Sequence, residues 1–119
     1  MTQHTITIRR GVQVDLAYEG VWQGRQFHPL PARTFRIMQY LISHFDQVIP
    51  QAALLSIGWP DEPRVGQDLY RHIHRIRELI EVNPTRPQYL LTRKDRGYVF
   101  MTTPLCRMSA GNRHTSVVT

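Results

Sequence analysis

Cysteine is almost absent from this chain of 119 residues: Cys106 stands alone. One thiol cannot close an internal disulfide, so nothing in the sequence points to an oxidising compartment. Lysine is as scarce, with Lys94 the only one among 15 basic residues. No apolar run approaches the ~18–20 residues that span a membrane. The opening MTQHTITIRR lacks the apolar core of a signal peptide. Coiled-coil heptads and internal repeats are missing too. These absences make a cytoplasmic protein without a membrane partner the expectation. Acidic residues number nine, which leaves a formal net charge of +6 and a pI of about 10.2. Such a balance favours polyanionic partners, nucleic acid before anionic membrane. The length suits one domain with a single core.

Periodicity divides that domain in three. Residues 5–28 hold TITI, VQVDL and GVW, β-branched or alternating stretches with turns at Arg10-Gly11, Glu19-Gly20 and Gly24. From Pro31 the spacing of Phe35, Met38, Leu41, Ile42 and Phe45 predicts an amphipathic helix over 31–44. A short helix follows over 50–58, broken by Trp59-Pro60-Asp61-Glu62-Pro63. A third is expected over 66–81, with Leu69, Ile73, Ile76 and Ile80 as its apolar stripe and Asn83-Pro84 as its stop. Tyr89–Thr92 and Tyr98–Met101 then read as a hairpin joined by Arg93-Lys94-Asp95-Arg96-Gly97. The domain is therefore set at 1–101, with the helices over 31–81 and the hairpin over 88–101. The polar remainder, 102–119, is expected to be a flexible tail.

The third helix contains LYRHIHRIREL, two histidines and three arginines among aliphatics. His72 and His74 lie about 200° apart on a helix, whereas two ligands for one metal need i,i+4 spacing. A metal site is not expected, and no cofactor is called for. With Arg71 at 0°, Gln67 falls near −40°, His74 near −60°, Arg75 near +40° and Glu78 near −20°, while the apolar stripe lies at about 140–200°. The basic residues thus face away from the buried side, and His72, near 100°, sits at the boundary. A charged face of this kind is more often simply solvated. The hairpin sharpens the reading, because its tip adds Arg93, Lys94 and Arg96 against one acid, Asp95. A basic helix followed by a basic hairpin fits a major groove and the neighbouring minor groove or backbone.

At this point the chain resembles the winged-helix effector domain of OmpR/PhoB-type transcriptional regulators. The likeness runs over about residues 5–101. It rests on Leu30, Phe35-Arg36-Ile37-Met38, His44, Val48, Leu54-Leu55 and Trp59, then on His72-Ile73-His74-Arg75-Ile76-Arg77, Thr92 and Gly97-Tyr98-Val99-Phe100. The resemblance implies an α+β fold: a winged helix-turn-helix with an N-terminal antiparallel β-sheet of four strands, three helices and a C-terminal β-hairpin wing. It also implies a bacterial, sequence-specific reader of double-stranded DNA, associated with the nucleoid. Its third helix would present Gln67, Asp68, Tyr70, Arg71, His74, Arg75 and Arg77, and its wing Arg93, Lys94 and Arg96. Arg71 and Arg75 would reach base edges, guanine above all, and Tyr70 and Arg77 would flank them on phosphates. Asp68 could accept from cytosine or cap the helix. The Pro60–Gly66 loop would touch RNA polymerase, and two copies would pair head-to-tail on DNA.

The chain departs from the family pattern in three ways. Pro50-Gln51 replaces a Ser/Thr cap followed by arginine, which removes one phosphate contact. Asp95 stands where the wing has its first glycine; aspartate can tolerate a left-handed backbone, but the shape of the wing is not fixed by the sequence. Strands begin within ten residues of Met1, so a receiver domain ahead of this one, and control by phosphorylation within the chain, are not expected. A second reading is a winged-helix module that contacts RNA polymerase or another regulator without reading DNA. An enzyme is not expected: Cys106 falls in the tail, away from any fixed base. His28 and His44 read as strand-end and helix-end residues, and Trp22 and Trp59 as core anchors.

Overall fold

The computed structural model describes residues 4–107. Four short strands, β1 (Thr5–Arg9), β2 (Val12–Asp15), β3 (Gly20–Gln23) and β4 (Gln26–Pro29), form an antiparallel meander in the order β1-β2-β3-β4. Three helices follow, α1 (Ala32–Ser43), α2 (Gln51–Gly58) and α3 (Gly66–Ile80), then the hairpin of β5 (Leu90–Arg93) and β6 (Gly97–Phe100). This is the α+β winged helix-turn-helix that the sequence implied.

One hydrophobic core joins all three parts. Ile8, Val12, Val14 and Val21 come from the sheet, Ile37, Met38 and Leu41 from α1, and Leu54 from α2. Leu69, Ile73, Ile76 and Ile80 of α3 are each 0 % exposed, so the apolar stripe is the buried one. Burying an aliphatic side chain of this size contributes about 1.5–3 kcal/mol, so the stripe fixes the rotation of α3. Its opposite face is thereby turned to solvent.

The sheet also ends α3. Gln23 Nε2 donates to the Leu79 carbonyl at 2.8 Å and Arg9 Nε to the Ile80 carbonyl at 2.7 Å. These are two of the carbonyls that a helix leaves without partners in its last turn. Trp59 is a core residue, as expected, but Trp22 is only half-buried. Its Nε1 donates to Asp15 Oδ2 at 2.9 Å, and the amides of Ala17 and Tyr18 close on Asp15 Oδ1. These bonds, the Trp22 one foremost, hold the Asp15 carboxyl below the usual range. His44 caps α1, with Nδ1 2.8 Å from the Tyr40 carbonyl.

The hairpin is tied to the segment before α2. Ile49 pairs with Tyr98 through amide-to-carbonyl bonds of 2.7 and 3.0 Å. That approach needs Gly97, at φ 135°, because a Cβ there would meet the Ile49 carbonyl oxygen at 1.9 Å. Asp95 takes φ 62°, a left-handed conformation that aspartate tolerates better than most residues.

Residues 102–107, expected to begin a flexible tail, are instead bonded to the domain. Thr102 donates its amide and hydroxyl to the Asp46 carboxylate at 3.0 and 2.8 Å. The Leu105 amide reaches the Gln88 carbonyl at 2.8 Å. Composition pointed to disorder, but it carries no signal for such long-range partners. The rest of the expected tail, 108–119, lies outside the described residues.

Candidate nucleic-acid interface

The outward face of α3 follows from its inward one. Gln67, Tyr70, Arg71, His74, Arg75 and Glu78 are exposed and Asp68 is half-exposed. The Arg71 side chain has no hydrogen bond or ion pair among the described residues. Arg75 Nη1 lies 3.5 Å from Glu78 Oε1, and His74 Nε2 lies 3.4 Å from Glu78 Oε2. Pairs this exposed contribute little to stability and are easily exchanged for another anion. Tyr70 stacks on His74 one turn away, with ring centroids 6.1 Å apart. Asp68 acts in part as a cap: Oδ2 accepts from the Val65 amide at 3.3 Å. Valine offers no side-chain acceptor in return, so only half of a capping box is formed.

The wing tip holds Arg93, Lys94, Asp95 and Arg96, all exposed, in a turn closed by the Arg96 amide on the Arg93 carbonyl at 2.8 Å. Between this tip and the start of α2 runs a groove of about 410 Å³, lined by Pro50, Gln51, Thr92, Arg93, Asp95, Arg96, Gly97 and Tyr98. The groove brings two wing arginines, with Asp95 between them in sequence, to the start of α2 at Pro50-Gln51.

Arg77 is not part of the exposed face. It is 6 % exposed, with Nε donating to the Leu90 carbonyl at 2.9 Å and Nη2 to Thr92 Oγ1 at 2.8 Å. On the helical wheel Arg77 falls near −120°, a flank that solvent or a neighbouring element could cover. Here the neighbour is β5, so the residue expected to hold phosphate holds the wing. Burial lowers the pKa of its guanidinium, opposed by Tyr98, Tyr70 and Glu81. Arginine starts high enough to stay charged.

On the other flank His72 is half-buried, with Nδ1 2.7 Å from Thr34 Oγ1 on α1 and its ring edge against Trp59 at 5.4 Å. Burial lowers its pKa, aided by Arg33 and Arg71 and opposed by Asp68. His72 therefore serves packing between helices. Among the described residues no group of three His, Cys, Asp or Glu side chains could hold a metal ion. No helix there is long and apolar enough to cross a membrane.

The sequence missed Glu81, which is 5 % exposed and accepts from the amides of Gln88, Tyr89 and Leu90 at 2.7–3.0 Å. Its one visible signal was an acid just past the end of the predicted apolar stripe.

Comparison with known proteins places this geometry. Residues 24–100 match the family model described as "Transcriptional regulatory protein, C terminal". The KDP operon transcriptional regulatory protein KdpE of Escherichia coli K12 is 30 % identical over 91 residues, 76 % of this chain and 40 % of KdpE. Among solved structures, the response regulator DrrB, an OmpR/PhoB homologue of Thermotoga maritima, superposes with a TM-score of 0.72 at 26 % identity. That match covers 84 % of this chain and 45 % of DrrB, so the chain spans less than half the length of either relative. The RstA DNA-binding domain of Klebsiella pneumoniae, solved in complex with the RstA box, shares the fold at 22 % identity, with a TM-score of 0.68. It is matched over 84 % of this chain and 99 % of its own. The shared architecture and the family match over the helices and wing agree: the chain belongs to the C-terminal domains of transcriptional regulatory proteins, in the OmpR/PhoB-type winged-helix group.

Proposed function

We propose that this chain binds double-stranded DNA in a sequence-specific way as part of a transcriptional regulator. The observation that carries the reading is the face of α3 opposite its buried stripe, where Arg71 and Arg75 stand exposed. Arginine is the side chain best suited to bidentate contact with guanine in the major groove. Gln67, Asp68, Tyr70 and His74 surround these two, and Arg93, Lys94 and Arg96 of the wing engage the minor groove or its phosphates. Arg77 is left out of the interface because it is buried. The RstA domain, of the same fold, was solved bound to its DNA box, which supports the same use of the fold here.

Two partners follow from the same reading. The Pro60–Gly66 loop, exposed along most of its length, presents Asp61, Glu62 and Arg64 for RNA polymerase. On DNA, two copies pair head-to-tail on direct repeats about one helical turn apart.

The test is selection of bound sequences from a random duplex pool, followed by binding at several salt concentrations. If one copy neutralises roughly five phosphates, log K falls against log salt with a slope of about −4 to −5. A slope near zero, or equal affinity for single strands, overturns the reading.

A further inference from the structure

Arg77 in the last turn of α3 and Glu81, the residue that caps its C-terminal end, lie four residues apart, and both are buried. The two side chains grip the neighbouring ribbon mainly through its backbone. Arg77 takes the Leu90 carbonyl and the Thr92 hydroxyl. Glu81 takes the amides of Gln88, Tyr89 and Leu90. The N–H and C=O of Leu90 therefore both point to α3, away from β6. The outer edge of β5 is satisfied by side chains of α3 and its C-cap as if by a third strand.

The far edge of the ribbon is held too, by the pairing of Ile49 with Tyr98 and by the Asp46 amide on the Phe100 carbonyl at 2.8 Å. A two-stranded hairpin alone is marginal in water. Its position is therefore set by what grips its edges. Buried ions are weak devices for stability, because desolvation offsets much of their attraction, but losing one partner of a satisfied buried ion is costly, which ties it to one set of partners.

We propose that Arg77 and Glu81 are positioning residues for the wing: they lock β5 to α3, so that Arg93, Lys94 and Arg96 are presented at a fixed place relative to Arg71 and Arg75. The helix that reads bases thereby also aims the wing. The inference rests on the DNA-binding reading above, and it is tested with an arm that needs no DNA.

In that arm, amide hydrogen exchange of the full chain is compared for wild type, Arg77→Met, Arg77→Lys and the milder Thr92→Val. The expected result is a loss of protection in β5 and β6 of at least tenfold beyond any change in α1, in Arg77→Met and, to a smaller extent, in Thr92→Val. Lysine keeps the charge but cannot reach both acceptors with one planar fork, so Arg77→Lys falls between wild type and methionine. A loss spread evenly over the molecule, or no loss, overturns the proposal, as does an Arg77→Lys variant identical to wild type. Thr92→Val decides if Arg77→Met fails to fold.

The second arm measures the salt dependence of binding to a mixed-sequence 30-bp duplex. With the wing released, the slope of log K against log salt shrinks by about two in Arg77→Met. An unchanged slope at a lower folded fraction means a purely structural residue and overturns the proposal. If wild type itself does not bind the duplex, the DNA reading fails, and the exchange arm still decides whether the pair holds the wing.

Discussion

The root and the tip of the wing are built from the same kinds of residue and behave in opposite ways. At the root, Arg77 and Glu81 are 6 % and 5 % exposed and each makes two or more hydrogen bonds. At the tip, Arg93, Lys94 and Arg96 are exposed, and none of their side chains has a hydrogen-bond or ion-pair partner among the described residues. Arg75, two residues before Arg77, belongs with the tip, since the only side-chain partner it has among the described residues is an exposed Glu78 at 3.5 Å. A positive charge therefore says little about its task. Burial and satisfied donors mark a charge that holds the fold, and exposure with idle donors marks one that is free for a polyanion.

The largest effect that could break this contrast is on stability. Glu81→Ala strands the amides of Gln88, Tyr89 and Leu90 next to the core. A buried polar group left unpaired costs about 1–3 kcal/mol, and here three amides lose their acceptor together. We expect Glu81→Ala to lose about 3 kcal/mol or more in urea denaturation, against within about 0.5 kcal/mol for Arg75→Ala on the solvated face. Two variants of equal stability would dissolve the distinction between root and tip.

Much of this arrangement was legible in the sequence. Three helices and the hairpin were each placed to within two residues, because the apolar spacing of Leu69, Ile73, Ile76 and Ile80 is unambiguous and proline brackets each helix. The exposed half of α3 followed from the same stripe. Arg77 was misplaced because its angle puts it at a boundary, and only the tertiary position of β5 decides what covers it. Glu81 and Asp46 were illegible for a related reason. Their partners are backbone amides 7–9 and about 56 residues away, and no local pattern encodes those. The weak link in sequence reading was thus the amphipathic flank, where polar residues satisfy polar backbone.

A second way to sharpen the contrast uses DNA. Arg75→Ala should cost about 1–3 kcal/mol on the selected duplex and relax base choice at one position. Arg93→Ala should weaken selected and scrambled duplexes alike and reduce the salt slope by about one. The readout is competition binding of each variant on both duplexes. If the two variants behave identically on both, the division between a reading helix and an anchoring wing is wrong.

The smallest effect lies on the α1 flank, where His72 meets Thr34, Trp59, Arg33, Arg71 and Asp68. Burial, with Arg33 and Arg71, puts its folded pKa below its unfolded value of 6.5. The unfolded chain therefore binds the proton first as pH falls, and each proton it takes up favours unfolding. Stability should be independent of His72 well above pH 6.5 and should decline as pH drops from there towards the folded pKa. One proton limits that slope to about 1.4 kcal/mol per pH unit, and the half-exposed ring keeps the real value below it. Glutamine at this position can still bond Thr34 but cannot titrate. The difference in urea midpoint between wild type and His72→Gln should therefore be constant from pH 8 to 7, then shift against wild type as the pH falls to 5. Because the other histidines are shared by both proteins, a difference that stays flat over the whole range would mean that His72 carries no proton-linked cost in the fold.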